Sequence, residues 1–254
     1  MTKTPALFIG HGSPMNAIED NEYTRGWKDV ARRIPRPKAI LAVSAHWYTA
    51  GTRVMDNASP RMIYDMYGFP KELYEIKYLA QGAPELARQT NDLLSGISRL
   101  DGGWGFDHGT WSVLKVMYTD ADIPVYQLSV DRNAPPDTHY EIGRKIAPLR
   151  NQGVLILGSG NIVHNLGLVD FDREDGFRWA YEFDDYIRNA ILKQEHDKAI
   201  EPSRAGECAR LAVPTPDHYY PLLTVLGTAE GDEASVYNNK CMMGSMSMTC
   251  YLFA

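Results

Sequence analysis

The sequence predicts an α/β fold, a single domain with a central, mostly parallel sheet flanked by helices and an active site at the carboxyl ends of the strands. Three observations predict it. Short runs that are apolar throughout, such as Lys38 to Ala45 and Val154 to Leu157, suit strands covered by helices on both faces. Segments of helical periodicity separate these runs, the alternation that builds parallel sheets. Three of the runs give way to small residues and then a histidine, at the strand ends where open parallel sheets bind ligands.

The first run, Ala6 to Ile9, stops at Gly10-His11-Gly12-Ser13-Pro14. Flanking Gly and Pro favour strand over buried helix. The glycines are expected to leave His11 clear of bulky neighbours, with Ser13 and Pro14 turning the chain away. Tyr23 to Arg33 reads as a helix, with Trp27, Val30, Ala31 and Ile34 at roughly helical spacing and Pro35 and Pro37 as its stop. Lys38 to Ala45 is the second strand and ends at His46-Trp47-Tyr48. Residues 57–80 are rich in Pro, Gly, Met and Tyr without a clean period, and read as a lid, a pocket wall or a packed surface loop. Pro84 to Leu94 is a helix with Pro in its first turn and Gly96 past its end.

Trp104 to Trp111 is a Gly- and aromatic-rich turn that leads into an apolar helix, Val113 to Tyr118. Asp107 suits its N-cap, which places His108 near the helix start. Pro124 to Val130 is a third strand, followed by a helix from Pro136 to Arg150. Val154 to Leu157 is the fourth, and Gly158-Ser159-Gly160 and His164 follow it. Trp179, Phe183, Ile187, Ala190 and Ile191 mark one face of a helix within residues 176–196. Leu222 to Leu226 is an apolar helix stopped by Gly227, and Ser245 to Phe253 reads as a closing strand. No repeat or linker divides the chain, so residues 1–254 read as one catalytic domain.

A net charge of -6 argues against a broad phosphate-binding face, and so against nucleic acid as a partner. Cys208, Cys241 and Cys250 are too few and wrongly spaced for a disulfide framework or a Cys-rich zinc site. No segment approaches the roughly 18 apolar residues of a membrane span. Met1-Thr2-Lys3-Thr4-Pro5 leads directly into the first strand without room for a signal peptide. A cytoplasmic protein with no membrane partner is expected; the oligomeric state is open.

The histidines carry the functional signal. His11, His46 and His164 follow predicted strands, and His108 and His218 sit in turns at the start of apolar helices. His139 and His196 lie in polar helical stretches, where facing solvent is the default. Several neutral imidazoles converging without cysteine suit zinc or non-haem iron(II) in a site with open positions. Other motifs fail. Gly158-Ser159-Gly160 lacks the third glycine of a dinucleotide fingerprint, because Val163 stands there. Ser13 is in no nucleophile elbow.

The set GHGSP (10–14), SAHWY (44–48), GFDHGTW (105–111), GSGNIVHNL (158–166) and PTPDHYYPLL (214–223) resembles the class III extradiol ring-cleaving dioxygenases, and most closely their 4,5-DOPA extradiol dioxygenase branch. The resemblance runs over essentially the whole chain. It implies insertion of O2 into the ring of a small catechol such as L-DOPA, giving a ring-opened semialdehyde. It implies His11, His46 and His218 as metal ligands, with His164 as the catalytic base and, in this branch, also a fourth zinc ligand. His108 matches a second histidine near the dioxygen position. In relatives that act on protocatechuate the third ligand is a carboxylate, and Asp217 stands beside His218 here. Fe(II) is the cofactor expected for catalysis, and Zn(II) can occupy the same site. A zinc-dependent hydrolase and a non-catalytic metal-binding protein are the alternatives. For a substrate carboxylate, Arg53 and Arg61 are the candidates in sequence.

Overall fold

Strand and helix alternate along the chain as the sequence predicts. In the computed structural model, which describes residues 3–254, the first half contains β1 (Ala6–Gly10), α1 (Glu22–Arg33), β2 (Ala39–Thr49), β3 (Thr52–Val54), α2 (Lys71–Glu75), α3 (Pro84–Leu93), β4 (Ser98–Leu100) and α4 (His108–Met117). The second half contains β5 (Val125–Asp131), α5 (Pro136–Ile146), β6 (Val154–Gly160), α6 (Arg178–Leu192), α7 (His196–Ile200), α8 (Glu207–Ala212), α9 (Tyr220–Thr228), β7 (Ala234–Tyr237), β8 (Cys241–Met242), β9 (Met246–Ser247) and β10 (Cys250–Phe253). Met1-Thr2, with which the leader-free opening expected from sequence begins, lies outside the described residues.

Eight strands form one sheet in the order β4-β3-β5-β2-β6-β1-β10-β7. Its middle, β5-β2-β6-β1, is parallel throughout. Antiparallel β10 and β7 extend the sheet beyond β1. At the other side β3 pairs antiparallel with β5 and carries β4 parallel to itself. The central strands are apolar on both faces because both faces are covered: Ile40, Leu41, Ala42, Val43, Leu155, Ile156 and Leu157 are all at most 1% exposed. The carboxyl ends of β2, β6 and β1 therefore open side by side, and that edge holds the histidines.

Local sequence sets the helix starts. Asn21 accepts the backbone N–H of Thr24 and donates its own to the Thr24 hydroxyl, a capping box for α1. Asp107 caps α4 through the Thr110 N–H at 3.1 Å, as expected, and His108 is the first helical residue. The connection 57–80 is an anchored wall with a short helix inside it. Ile63 donates to the Phe106 carbonyl at 2.7 Å and accepts from the Trp111 indole at 3.0 Å.

Several expectations need correction. Gly227 does not stop its helix, which continues to Thr228. A Cβ on Gly227 would lie 2.0 Å from the Tyr140 carbonyl oxygen, and one on Gly143 would lie 2.1 Å from that of Thr224. These two glycines let α5 and α9 touch backbone to backbone. His139 does not face solvent: it is 2% exposed, with Nε2 3.1 Å from the Asp131 carbonyl. His196 is half-buried, with Nδ1 3.0 Å from the Tyr140 hydroxyl. The polar flanks of both helical stretches masked faces that pack inward. Strands β3, β4 and β7 are three or four residues long and were not foreseen. No helix among the described residues is long and apolar enough to cross a membrane.

Candidate metal centre

Two strands, two helix starts and one loop build the site. His11 follows β1 directly, while His46 lies within β2, where pairing with β5 shifts register between Ser44 and Tyr48. That irregularity bends the strand end and re-aims its side chains. His108 opens α4, and His218 precedes α9 by two residues. His164 lies four residues past β6, in a backbone bridge with Met246.

The nitrogens of His11, His46 and His218 come within 4.8 Å of one another. Proton accounting shows which nitrogens face inward. The Ser159 hydroxyl donates to the Gly109 carbonyl at 2.6 Å, so its one proton is spent. It lies 2.9 Å from His11 Nδ1 and must accept from it. His46 Nδ1 lies 3.1 Å from Asp65 Oδ2, and His218 Nδ1 bonds Asp217 Oδ2. Ionised carboxylates only accept, so both Nδ1 atoms carry the proton. Each ring is thereby left with a bare Nε2, the tautomer a metal takes.

The Nε2 atoms of His11 and His46 stand 3.3 Å apart. With both protons held at Nδ1, two lone pairs face each other, an arrangement a shared cation relieves. A metal with nitrogens at about 2.0–2.1 Å spaces them by roughly 3.0–3.4 Å, according to coordination geometry. The donor set therefore fits a divalent transition metal, with imidazole ligands suited to zinc or iron.

Charge around the cluster is arranged to keep these rings in place. Burial holds the His11 imidazole well below its usual range, reinforced by the neighbouring histidines. Burial likewise pushes His218 down to about 4, against the pull of Asp217. His46 is pulled two ways: burial opposes its cation, but Asp65, Asp107 and Asp217 together outweigh it and the net shift is upward. Burial raises the Asp65 and Asp217 carboxyls, yet the facing histidines dominate and hold both below the usual carboxylate range.

His108 and His164 flank the cluster differently. The His108 backbone N–H donates to Asp65 Oδ1 at 2.8 Å, and its Nδ1 lies 3.0 Å from the same oxygen but out of line for a hydrogen bond. Its ring centroid is 3.8 Å from that of His46. His164 stacks on His218 and is not one of the three that share the close nitrogen cluster. Burial and the neighbouring imidazoles push His164 down to about 2, so it is neutral at pH 7.

The structure thus brings all five predicted histidines to one crevice. It corrects the role expected of the first glycines. A Cβ on Gly10 would come 2.7 Å from the Met248 backbone, and Gly12 has φ of +60°, so both serve the turn and its packing. The glycine that clears a site histidine is Gly109, where a Cβ would lie 2.7 Å from His46 Cδ2. Two supporting residues went unread in sequence. Ser159 sits in the failed Gly-Ser-Gly motif, whose only signal was its place at a strand end. Asp65 lies in the aperiodic connection, which offered no signal. Arg53 pairs with Asp101 at 2.6 Å, and Arg61 reaches only the Gly103 carbonyl from an exposed position.

Known proteins resemble this chain along nearly its whole length. A family model described as the catalytic LigB subunit of aromatic ring-opening dioxygenase matches residues 5–254. A protein of Escherichia coli K12 named 4,5-DOPA dioxygenase extradiol is 46% identical, over 97% of this chain and 93% of its own. A Beta vulgaris protein of the same name is 38% identical, over 97% of this chain and 95% of its own. The crystal structure of an uncharacterized protein of Escherichia coli K12, JW3007, superposes with a TM-score of 0.87 at 41% identity, covering 99% of this chain and all of that one.

Proposed function

Because the chain belongs to the LigB family of aromatic ring-opening dioxygenases, we propose that it is an Fe(II)-dependent extradiol dioxygenase acting on L-DOPA or a related small catechol. The observation that carries this reading is the convergence of three bare imidazole nitrogens, those of His11, His46 and His218, each fixed by a polar partner behind it. These three histidines would hold the iron. When bound, iron(II) supplies the redox link between an electron-rich catecholate and dioxygen, which the protein's own side chains lack.

The chain's residues do the rest. Ser159, Asp65 and Asp217 orient the ligand rings and keep each in the coordinating tautomer. His164, neutral and beside His218, takes the proton of a catechol hydroxyl at one of its ring nitrogens and holds it for return to the substrate as the ring opens. His108, packed against His46, would supply a second imidazole for holding a proton beside the reacting atoms. Burial of the cluster excludes water from the reacting atoms. One catechol and one O2 give one ring-opened semialdehyde acid, with no external reductant.

Anaerobic loading with Fe(II), then air and L-DOPA, is expected to consume one O2 per catechol and yield a coloured product. Absence of O2 uptake across a panel of catechols overturns the reading. The same donors accept Zn(II), and a zinc-dependent hydrolase is the competing reading. Hydrolysis by the zinc form without ring opening by the iron form decides for it.

A further inference from the structure

A cleft of about 480 Å³ has His46 of the histidine cluster in its wall. That volume is ample for a catechol with a short tail. Its walls include Tyr48, Arg53, Asp101, Trp104 and Arg132. Two guanidinium groups and one carboxylate therefore face the same space, and their pairing is unequal. Arg53 is bound to Asp101 at 2.6 Å, which offsets its charge, and its Nε is shut away from solvent. Arg132 is exposed and makes no ion pair among the described residues.

The backbone holds Arg132 where it can serve. Its N–H donates to the Thr49 carbonyl at 2.8 Å, which ties the end of β5 to the end of β2 three residues beyond His46. The carboxylate next to it, Asp131, is turned into the loop instead and accepts the N–H groups of Gly51 and Asn133, each at 2.9 Å. Tyr48, two residues beyond His46 in β2, lines the same cleft as His46 and Arg132. Burial raises the pKa of the Tyr48 phenol, with Asp217 adding to the rise and the Arg132 cation opposing it. A ring bound at the histidines can therefore lay a short tail past Tyr48 toward one uncompensated cation.

We infer that Arg132 is the anchor for a carboxylate on the substrate's side chain, so that the enzyme's substrate class is catechols with a short anionic tail rather than neutral catechols. The inference rests on the catechol-dioxygenase reading above and adds to it the residue that selects among catechols. It also replaces Arg53 and Arg61, the candidates read in sequence. A guanidinium binds a carboxylate through paired N–H groups, so it favours the acid over an uncharged tail of equal size.

The test compares 3-(3,4-dihydroxyphenyl)propionate with 4-propylcatechol, by calorimetry on Zn(II)-loaded protein under nitrogen, where no turnover occurs. KM and kcat for O2 uptake are then measured on the Fe(II) form. The wild type is expected to bind the acid about tenfold more tightly than the neutral catechol, with the difference appearing in KM. In R132Q the ratio is expected to fall to within about twofold of one, and R132K to restore part of it. Equal affinity for both catechols in the wild type, or an undiminished ratio in R132Q, overturns the inference and leaves ring opening standing. Failure of both catechols to bind the metal-loaded wild type overturns the dioxygenase reading and this inference with it.

Discussion

His164 lies flat against His218, with ring centroids 3.5 Å apart and 6° between the planes. Two imidazoles stacked face to face cannot both aim a nitrogen at the same point between His11 and His46. The nitrogen cluster accordingly takes in His218 and leaves His164 beside it. On the proposed reading, His218 is then a ligand and His164 a neighbouring base. His164→Phe keeps an aromatic plate on His218 but removes the proton acceptor. It is expected to retain metal stoichiometry and lower turnover by about 10²–10⁴-fold, whereas His218→Ala is expected to lose the metal. Metal analysis and single-turnover kinetics check both, and metal loss in His164→Phe assigns that ring to the coordination shell instead.

Asp65 serves two histidines with two oxygens, Oδ2 toward His46 Nδ1 and Oδ1 toward the His108 backbone N–H. Asp65→Asn keeps the shape but allows an amide nitrogen to face a ring N–H. Metal affinity is expected to drop about 10–100-fold, the usual effect of losing the group that orients a ligating histidine. Competition with a chelator measures it; an unchanged affinity removes Asp65 from the site's support.

The sequence made one layer of this site legible and hid the next. His11, His46 and His164 stood out because a strand that ends in a histidine is a pattern within ten residues of chain. Asp107 stood out for the same reason, as a cap one residue before a helix. Asp65 meets His46 only because the aperiodic connection folds back over the strand ends, and no local pattern encodes that. Ser159 is visible in sequence only as the middle of a Gly-Ser-Gly run that matches no motif. Strands β3 and β4 escaped because three-residue strands such as Thr52–Val54 and Ser98–Leu100 carry almost no period to read. His139 was misplaced because Asp137, Thr138 and Glu141 around it made the whole segment look wet, while one face of α5 packs against α9.

Gly227 tests that helix contact. A Cβ placed there would sit 2.0 Å from the Tyr140 carbonyl oxygen and 3.0 Å from the Arg144 backbone nitrogen. Both are backbone atoms, so relief requires the helices to separate. Gly227→Ala is expected to destabilise the fold by about 2–3 kcal/mol despite alanine's better helix propensity. Denaturant titration measures this. A neutral or stabilising effect shows that α5 and α9 have more freedom than their spacing implies.

His139 gives the fold an acid-labile point away from the metal cluster. Burial pushes its imidazole down to about 4, against the Asp131 carbonyl and the Asp131 and Asp137 carboxylates, from 6.5 in an exposed ring. The unfolded chain therefore binds the proton more readily than the native one. Stability from the neutral ring is complete above about pH 6.5 and is lost as pH falls toward 4, by about 3 kcal/mol in all. His139→Gln can still donate to the Asp131 carbonyl but does not titrate. Unfolding of both proteins in chelator, from pH 7.5 down to 4, removes metal linkage from the comparison. The variant is expected to lose less stability than the wild type across that window, while the site histidines contribute equally to both. Parallel pH profiles overturn the assignment and return His139 to a solvated state.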